Sequence, residues 1–290
     1  MKIILFSRPQ TCRTVEEPER LFDAIERHGF DYAINAEFAE AVERLTGRHI
    51  PQDKIYGERT GRQPSESVMV CYGGDGTLLE GIHRLDGETI PVTGINSGHL
   101  GFLALAPKED TDDIFRQIGE GRLVTERRPM LEVSGIPECG VPYALNEVAV
   151  QRLGATMVSI EAQVDGQTVA TYNGSGLIIS TPTGSTAYSL SAGGPILAPA
   201  CNCLVLTPLA PHNLTMRPLV IPDSCEILLK INPRHRAVTV SLDNRTYETD
   251  RPAEIAVRRS ERSIFLAVPH NISFYDTLRN KMMWGVDIRK

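Results

Sequence analysis

The stretch VMVCYGGDGTLLE, from Val68 to Glu80, joins an apolar strand to the start of a helix through two glycines and one aspartate. A strand that turns directly into a helix is the repeating unit of parallel α/β sheets. A P-loop carries its own lysine at such a turn, and this turn has none. The loop therefore either handles phosphate differently or does not handle it. The apolar residues that follow recur at helical spacing and predict one buried helix face: Leu78, Leu79, Ile82 and Leu85.

Strand and helix patterns alternate on both sides of this stretch. KIILF and DYAIN are typical of strands, and two segments, Glu16 to His28 and AEFAEAVERL, place apolar residues on one helical face. The strand IPVTGI and a helix from Asp110 to Gly119 follow the turn. We predict a parallel α/β domain over residues 1–124, with a mobile loop from Thr46 to Ser67. The closing segment FYDTLRNKMMWG predicts a helix at about 275–290 that packs back on this domain.

The pattern changes after about Thr125. Helical periodicity gives way to ten short apolar runs separated by turn signals, beginning with MLEVSGI and ending with SIFLAV. The sequence from Val164 to Gln167 has Asp-Gly at its centre, which predicts a two-residue hairpin turn. Runs at this spacing indicate an all-β, sandwich-like domain over residues 125–274.

Composition narrows the classes of function. The chain has 290 residues, a formal net charge of -6 and no Lys/Arg cluster longer than two, which argues against a nucleic-acid partner. It has neither a signal-type segment nor an apolar run of membrane-spanning length, so we expect a cytoplasmic protein. The six cysteines form no CxxC pair, and no residues have metal-ligand spacing. A small-molecule ligand is expected.

Asp75 has two interpretations. An aspartate that starts a helix is a preferred N-cap, and the glycines before it allow a tight turn. Alternatively, Asp75 lies at the carboxyl end of a parallel strand, where α/β sheets bind ligands, and accepts a proton from a hydroxyl group. A second glycine-bearing turn, NSGHLG from Asn96 to Gly101, is expected at the same edge of the sheet, where the two turns would frame a crevice. His99 in that turn is interpreted as a loop or packing residue.

Two further stretches carry polar residues that packing explains poorly. Asn146 and Glu147 interrupt an alternating strand, either as a bulge or solvent edge, or as a holder for ribose hydroxyls or a metal-bound water. The segment from Gly174 to Ile196 is rich in Ser, Thr, Gly and Pro, and its single aromatic residue is Tyr188. It is either a polar surface loop, or a set of amides and hydroxyls that begins a short helix and receives phosphate or a carboxamide without a lysine.

Together these stretches resemble the NAD kinase family. The likeness rests on GGDG, the GINSGHLGFL segment, the Asn-Glu pair and STPTGSTAYSLSAGGP, and it extends to ERRPML, MRPLVI and the closing FYDTLRNKMMWG. The resemblance implies transfer of the γ-phosphoryl group of ATP to the 2′-hydroxyl of the adenosine ribose of NAD. It also implies Mg²⁺ held mainly by ATP, no metal site of the protein's own, and a homodimer or homotetramer.

The resemblance also implies roles for individual residues. Asp75 is the proton acceptor, and Gly76 lies against the NAD. Gly73, Gly74, Gly76 and Thr77 bind phosphate. The remaining NAD-binding positions are Asn146, Glu147, Thr156, Ser175, Thr186, Ala187, Tyr188, Ser189, Leu190, Ser191 and Arg245.

Ser175 departs from the family pattern, because an aspartate often precedes the glycine of GLIIS. The loop DNR after VSL also differs from the family's DGQ-like residues. Ser175 motivates a second hypothesis, a nucleotide-binding regulatory protein of the same fold with little turnover.

Overall fold

The computed structural model describes residues 1–85, 88–98, 101–136, 139–231, 238–249 and 254–285. The chain forms two compact units, Met1–Arg127 with Ile264–Lys290, and Arg128–Ser263. The first unit resumes at Ile264, earlier than the predicted boundary after residue 274, because the end of the last strand pairs with a strand of that unit at Leu266.

The first unit alternates strands and helices. Its carboxyl-terminal helix packs on the rest of the unit, with the ring of Phe274 lying 6.2 Å from that of Phe102. None of the helices described is long and apolar enough to cross a membrane. The elements of the first unit are β1 (Lys2–Ser7), α1 (Glu16–Arg27), β2 (Asp31–Asn35), α2 (Ala36–Thr46), β3 (Ile55–Tyr56), β4 (Ser67–Tyr72), α3 (Asp75–Arg84), β5 (Val92–Asn96), β6 (Ala106–Pro107), α4 (Thr111–Gly119) and α6 (Phe274–Met282).

The sheet of the first unit is parallel and has a switch point. Its strand order is β5-β4-β1-β2-β3, with β6 also paired to β5. The chain leaves β1 toward β2 on one side, whereas β4 leads to β5 on the other. Ligands of open α/β sheets bind in the crevice that such a reversal opens at the carboxyl ends of the strands. Here Ser7 and Tyr72 are paired at those ends, so the loop after β1 lies beside the GGDG turn.

The segment from Thr46 to Ser67 is more ordered than predicted. It contains a 3₁₀ turn at Gln52–Lys54 and the short strand β3, which extends the sheet beside β2. Tyr56 is buried, and its hydroxyl donates a 2.8 Å hydrogen bond to the carbonyl oxygen of Leu5. The prediction of a mobile loop was therefore wrong, because two paired residues and one anchored tyrosine carry too little periodicity to be recognised.

The second unit is built from antiparallel strands and one short helix. Two strands, β14 and β17, lie outside the predicted runs, and the last two predicted runs form the single strand β18. The elements are β7 (Val124–Ser134), β8 (Tyr143–Ala144), β9 (Glu147–Arg152), β10 (Val158–Val164), β11 (Gln167–Gly174), β12 (Gly176–Ser180), α5 (Tyr188–Ser191), β13 (Cys203–Leu209), β14 (Leu219–Pro222), β15 (Ile227–Ile231), β16 (Val238–Leu242), β17 (Arg245–Thr249) and β18 (Glu254–Val268).

These strands form a sandwich. One sheet has the order β14-β13-β12-β9-β16-β17, and the strands of the other pair in the order β11-β10-β15-β18-β7-β8. A single hydrophobic cluster joins their inner faces, for example Val148 and Ile179 with Ile160 and Val257. The predicted hairpin between β10 and β11 is present, with Asp165 and Gly166 at φ angles of 48° and 75°. The prediction of an α/β domain followed by an all-β domain is confirmed.

Replacing Tyr56 with phenylalanine should lower the free energy of unfolding by about 1 kcal/mol, because the buried hydroxyl loses its bond to Leu5. Urea unfolding measures the change. Tyr275→Phe is the control, since Tyr275 is 60% exposed. Equal stability of the two variants would contradict the anchoring role of Tyr56.

Candidate active site

The GGDG turn has a shape that requires glycine. Gly73 has a φ angle of +151°, and a Cβ atom there would meet Thr77 Oγ1 at 2.4 Å. Gly74 is the N-cap of α3, and its carbonyl oxygen accepts hydrogen bonds from the N–H groups of Thr77 and Leu78. Asp75 is therefore the first helical residue and not the capping residue. The N-cap interpretation of its side chain was wrong.

The carboxylate of Asp75 instead binds the second glycine-bearing turn. Oδ1 accepts hydrogen bonds from the N–H groups of Leu103 at 3.0 Å and Ala104 at 2.9 Å, and Oδ2 accepts one from Phe102 at 2.8 Å. A carboxylate offers about four acceptor positions. Three are filled by backbone amides, so Oδ2 keeps capacity for one further donor.

The second turn is shaped to reach this carboxylate. A Cβ atom at Gly101 would lie 1.9 Å from Asp75 Oδ1, so a side chain is excluded there. Asn96 braces the turn, because its Oδ1 accepts from the N–H of Gly98 at 2.7 Å and its Nδ2 donates to the carbonyl oxygen of Ala104 at 3.3 Å. The structure thus brings together the two turns that the sequence placed at one edge. His99 lies outside the described residues.

A cation that sequence reasoning missed stands beside the GGDG turn. Arg8, the first residue after β1, donates from Nη2 to the carbonyl oxygen of Gly76 at 3.0 Å and from Nε to Glu80 at 2.8 Å. Its side chain is 40% exposed. The only sequence signal for Arg8 is its position, because a residue that follows β1 lies at the same edge of the sheet as the residues that follow β4.

In the second unit, the Asn146–Glu147 pair interrupts a strand. The predicted run YALNEVAVQR is split into β8 and β9, and the break lies at Leu145 and Asn146. The N–H groups of residues 145, 146 and 147 all donate to the carboxylate of Asp243, at 2.9, 2.7 and 3.2 Å. Asp243 closes the hairpin between β16 and β17 and has a φ angle of 52°. The sequence pattern drew attention to the loop that contains Asp243, but it did not indicate that this carboxylate accepts three backbone N–H groups.

The side chains of the pair are buried. Asn146 and Glu147 are 6% and 7% exposed, and Asn146 Oδ1 and Glu147 Oε2 have no hydrogen-bond partner within the described parts of the chain. Burial, and secondarily the charge of Asp243, raises the pKa of Glu147 to about 8, against the opposing effect of the Tyr188 N–H. Glu147 is therefore largely protonated at neutral pH and able to donate as well as accept. Buried polar atoms in folded proteins are nearly always hydrogen-bonded, so these two atoms are candidate contacts for a ligand.

The hydroxyl-rich segment is held in place by hydrogen bonds that its own hydroxyl groups make. Thr181 Oγ1 donates to the carbonyl oxygen of Leu145 at 2.6 Å, and Ser189 Oγ lies 2.8 Å from Thr207 Oγ1. A 3₁₀ turn at Gly184–Thr186 precedes α5. Ser189 is buried, whereas Ser191 is exposed and Thr186, Ala187 and Leu190 are half-buried.

Tyr188 is accessible. It is 37% exposed, its hydroxyl donates to Gln151 Oε1 at 3.0 Å, and its backbone N–H donates to the carboxyl group of Glu147. The segment therefore brings one aromatic face into the neighbourhood of the Asn146–Glu147 pair, and Tyr188 is not a core residue.

The other predicted positions are more dispersed. Ser175 is half-buried; its N–H donates to the carbonyl oxygen of Leu209, and its carbonyl oxygen accepts from the N–H of Arg152. Thr156 is exposed in the loop after β9. Arg245 donates to the carbonyl oxygens of Val141, at 2.6 Å, and Tyr143. Its guanidinium thus supports β8, and its Nε has no partner among the residues described.

The fold defines a class of protein: an α/β unit with a glycine-rich turn at its ligand-binding sheet edge, followed by an all-β unit with a buried Asn-Glu pair. Two family models, the ATP-NAD kinase N-terminal and C-terminal domains, match residues 3–123 and 145–269. A protein named NAD kinase from Bacteroides fragilis is 35% identical over 292 residues, covering 100% of both chains. The chain belongs to the ATP-NAD kinase family, as the motifs predicted.

Solved structures agree with the fold. Yeast NADH kinase complexed with NADH is 23% identical with a TM-score of 0.85, covering 100% of this chain and 89% of that chain. An NAD kinase from Archaeoglobus fulgidus in complex with ATP is 25% identical with a TM-score of 0.76, covering 98% of this chain and 99% of that chain.

Gly101→Ala should lower the free energy of unfolding by about 1–3 kcal/mol, because the added methyl group collides with Asp75 and the turn must shift. Gly98→Ala is the matched control in the same turn, since a Cβ atom there meets nothing within 4 Å. Chemical denaturation compares the two variants. A Gly101→Ala protein as stable as Gly98→Ala would show that the turn does not hold Asp75 this closely.

Glu147→Gln should alter how stability depends on pH. The pKa of Glu147 is raised from 4.5 to about 8, so the stabilising contribution of its proton is complete below pH 4.5 and lost as pH rises through about 8. Glutamine has no proton to lose. The stability of Glu147→Gln relative to the parent should therefore increase between about pH 4.5 and 8, by at most about 1.4 kcal/mol per pH unit, and stay constant above that range.

The control for this prediction is Glu226→Gln, at an exposed glutamate of the same unit. Its substitution should change thermal stability by the same amount throughout this pH range. A Glu147→Gln variant that behaved in the same way would contradict the raised pKa.

Proposed function

We propose that this chain is an NAD kinase that transfers the γ-phosphoryl group of ATP to the 2′-hydroxyl of the adenosine ribose of NAD, giving NADP and ADP. The observation that carries the proposal is the spare acceptor position on Asp75 Oδ2, at the carboxyl end of β4 in a chain of this family. The name of the Bacteroides fragilis relative and the ATP complex of the Archaeoglobus fulgidus protein support the same substrates.

Asp75 acts as the proton acceptor in this proposal. The three amides orient its carboxylate, so Oδ2 is available to the ribose hydroxyl without a side-chain rearrangement. A ribose hydroxyl is a weak acid, and Asp75 takes its proton late, as the new P–O bond forms. Positioning and charge stabilisation supply most of the catalysis in phosphoryl transfer.

The phosphate groups are assigned to the GGDG turn. Gly73, Gly74 and Gly76 leave the backbone open at the start of α3, where N–H groups and the helix dipole favour an anion. Thr77 packs against this turn, because its side chain fills the space that a Cβ atom of residue 73 would occupy. We assign to Arg8 the role that a lysine has in a P-loop, because its guanidinium lies beside the GGDG turn.

The NAD is assigned to the hydroxyl-rich segment and the Asn146–Glu147 pair. Buried polar atoms of that pair would bind ribose hydroxyls, and the exposed Tyr188 ring would pack on a flat group. The remaining proposed contacts are Gly76, Thr156, Ser175, Arg245 and the run from Thr186 to Ser191.

Mg²⁺ is proposed as the divalent cation. Within the described residues, no three His, Cys, Asp or Glu side chains form a metal-binding group, and the one acceptor position left on Asp75 is assigned to the ribose hydroxyl. That arrangement fits an ion carried on the triphosphate, which commonly keeps several waters. When bound, Mg²⁺ neutralises charge on the phosphoryl oxygens.

We also propose a homodimer or homotetramer in the cytoplasm. The second unit has exposed apolar side chains that an interface would cover: Met157 is 40% exposed, Val220 on the edge strand β14 46%, and Leu214 84%. Sedimentation of the purified protein tests the assembly.

Incubation of the protein with ATP, Mg²⁺ and NAD, followed by enzymatic detection of NADP, tests the main proposal. Formation of NADP in proportion to enzyme supports it. Tight binding of both nucleotides without turnover would instead favour the regulatory alternative, for which Ser175 is the motivating observation.

Asp75→Asn should reduce kcat by ~10²–10⁴, because an amide cannot take up the ribose proton. Its oxygen still accepts from Leu103 and Ala104, so the protein should fold with a stability loss of about 1 kcal/mol. Asp112→Asn is the control, since Asp112 also lies in the first turn of a helix but at the surface. A folded Asp75→Asn protein with the parent kcat would remove Asp75 from the chemistry.

A further inference from the structure

Asp243 holds the backbone of the Asn146–Glu147 pair more tightly than its turn requires. Besides accepting three consecutive N–H groups, Asp243 donates its own N–H to the carbonyl oxygen of Glu147 at 3.0 Å. Asp165 provides a comparison within the same unit. It occupies the same place in a two-residue hairpin, with a φ angle of 48°, and its carboxylate accepts only the N–H of Glu226 among backbone donors in the residues described.

The opposite side of the break is held as well. The N–H of Thr181 donates to the carbonyl oxygen of Asn146 at 2.9 Å, and the Thr181 hydroxyl donates to that of Leu145. Gly184 packs so closely that a Cβ atom there would lie 2.0 Å from the Asn146 carbonyl oxygen. The N–H groups at the break thus bind Asp243, and the carbonyl oxygens of Leu145 and Asn146 bind Thr181. Hydrogen bonds on both sides fix the orientation of the backbone.

We propose that Asp243 is a positioning residue for NAD binding: its carboxylate fixes the break between β8 and β9 so that Asn146 and Glu147 direct their free polar atoms to the ribose hydroxyls. This inference rests on the proposed function, because the ribose is the ligand that it assigns to the pair. Asn146 Oδ1 and Glu147 Oε2 are two of the buried atoms without partners in the described structure, and they are the groups that the ligand would engage.

Asp243 has a second effect through its charge. The charged or titratable groups described on the elements around Glu147 include Asp243, Arg245 on β17, Tyr188 on α5 and Arg128 on β7. Burial raises the pKa of the Glu147 carboxyl group most, and the charge of Asp243 raises it further. A protonated Glu147 donates a hydrogen bond to a ribose oxygen, so Asp243 adds to the effect of burial that keeps the pair in its donating form at neutral pH.

Three variants separate geometry from charge. Asp243→Asn removes the charge while keeping a residue that tolerates a positive φ angle. Asp243→Glu keeps the charge but moves the carboxylate away from the amides. Asp165→Asn is the matched control at the other hairpin. Calorimetric binding of NAD is measured from about pH 6 to pH 9.5 for each variant and the parent.

The parent should bind NAD with an affinity that falls as pH rises through about 8, where Glu147 loses its proton. Asp243→Asn should weaken binding by about tenfold at pH 7, equivalent to about 1.4 kcal/mol, and move this fall to lower pH. Asp243→Glu should weaken binding but leave the fall at the parent pH. Asp165→Asn should match the parent in both respects.

Parent-like affinity and pH dependence in Asp243→Asn would overturn the proposal. If Asp243→Asn does not fold, Asp243→Gly, which also accepts a positive φ angle, takes its place. Failure of both to fold would assign Asp243 to the stability of the whole unit and also overturn it.

Failure of the proposed function is recognised separately. A parent protein that binds no NAD would contradict the function itself. The infrared carboxyl band of protonated Glu147, identified by its loss in Glu147→Gln, still reports whether Asp243→Asn shifts the titration of Glu147 to lower pH. An unshifted band would count against Asp243 even then.

Discussion

Where a buried backbone segment leaves the regular strand pattern, its N–H groups lose their strand partners and need other acceptors. A single carboxylate can accept hydrogen bonds from three of them at once. Asp75 does so for residues 102–104, and Asp243 does so for residues 145–147. Each aspartate lies at the end of a regular element. Asp75 is itself the proposed proton acceptor, and the segment that Asp243 holds carries the Asn146–Glu147 pair. The regular strands could form without these bonds, but the irregular segments between them could not keep one conformation.

The same constraint explains the small residues around both aspartates. A carboxylate reaches consecutive amides only where the chain passes very close to it, so Gly101 beside Asp75 has no room for a methyl group. Gly184 meets the equivalent requirement at the carbonyl side of the Asn146 break. The glycines at positions 101 and 184 thus follow from close backbone approach.

Much of the fold could be predicted because its signals are local. The helical spacing of Leu78 and Ile82, and the Asp-Gly turn at residue 165, depend only on neighbours in the sequence. The short strands β3 and β17 were missed because two residues, or an alternation of polar side chains at a sheet edge, give no clear period. Arg8 and Asp243 were missed for another reason. A surface arginine and a turn aspartate become site residues only through partners far away in the sequence, Gly76 and Leu145, and composition carries no trace of such pairing.

The bonds between Asp75 and residues 102–104 also close a long stretch of chain. Fixing the ends of such a segment costs roughly 3 kcal/mol of chain entropy, and three charge-assisted bonds offset that cost. Natural selection for a folded protein would therefore retain this aspartate even in a descendant that had lost its enzymatic activity. In this architecture, an intact GGDG motif indicates first that the loop is assembled. The capacity for turnover depends on the groups that surround the motif.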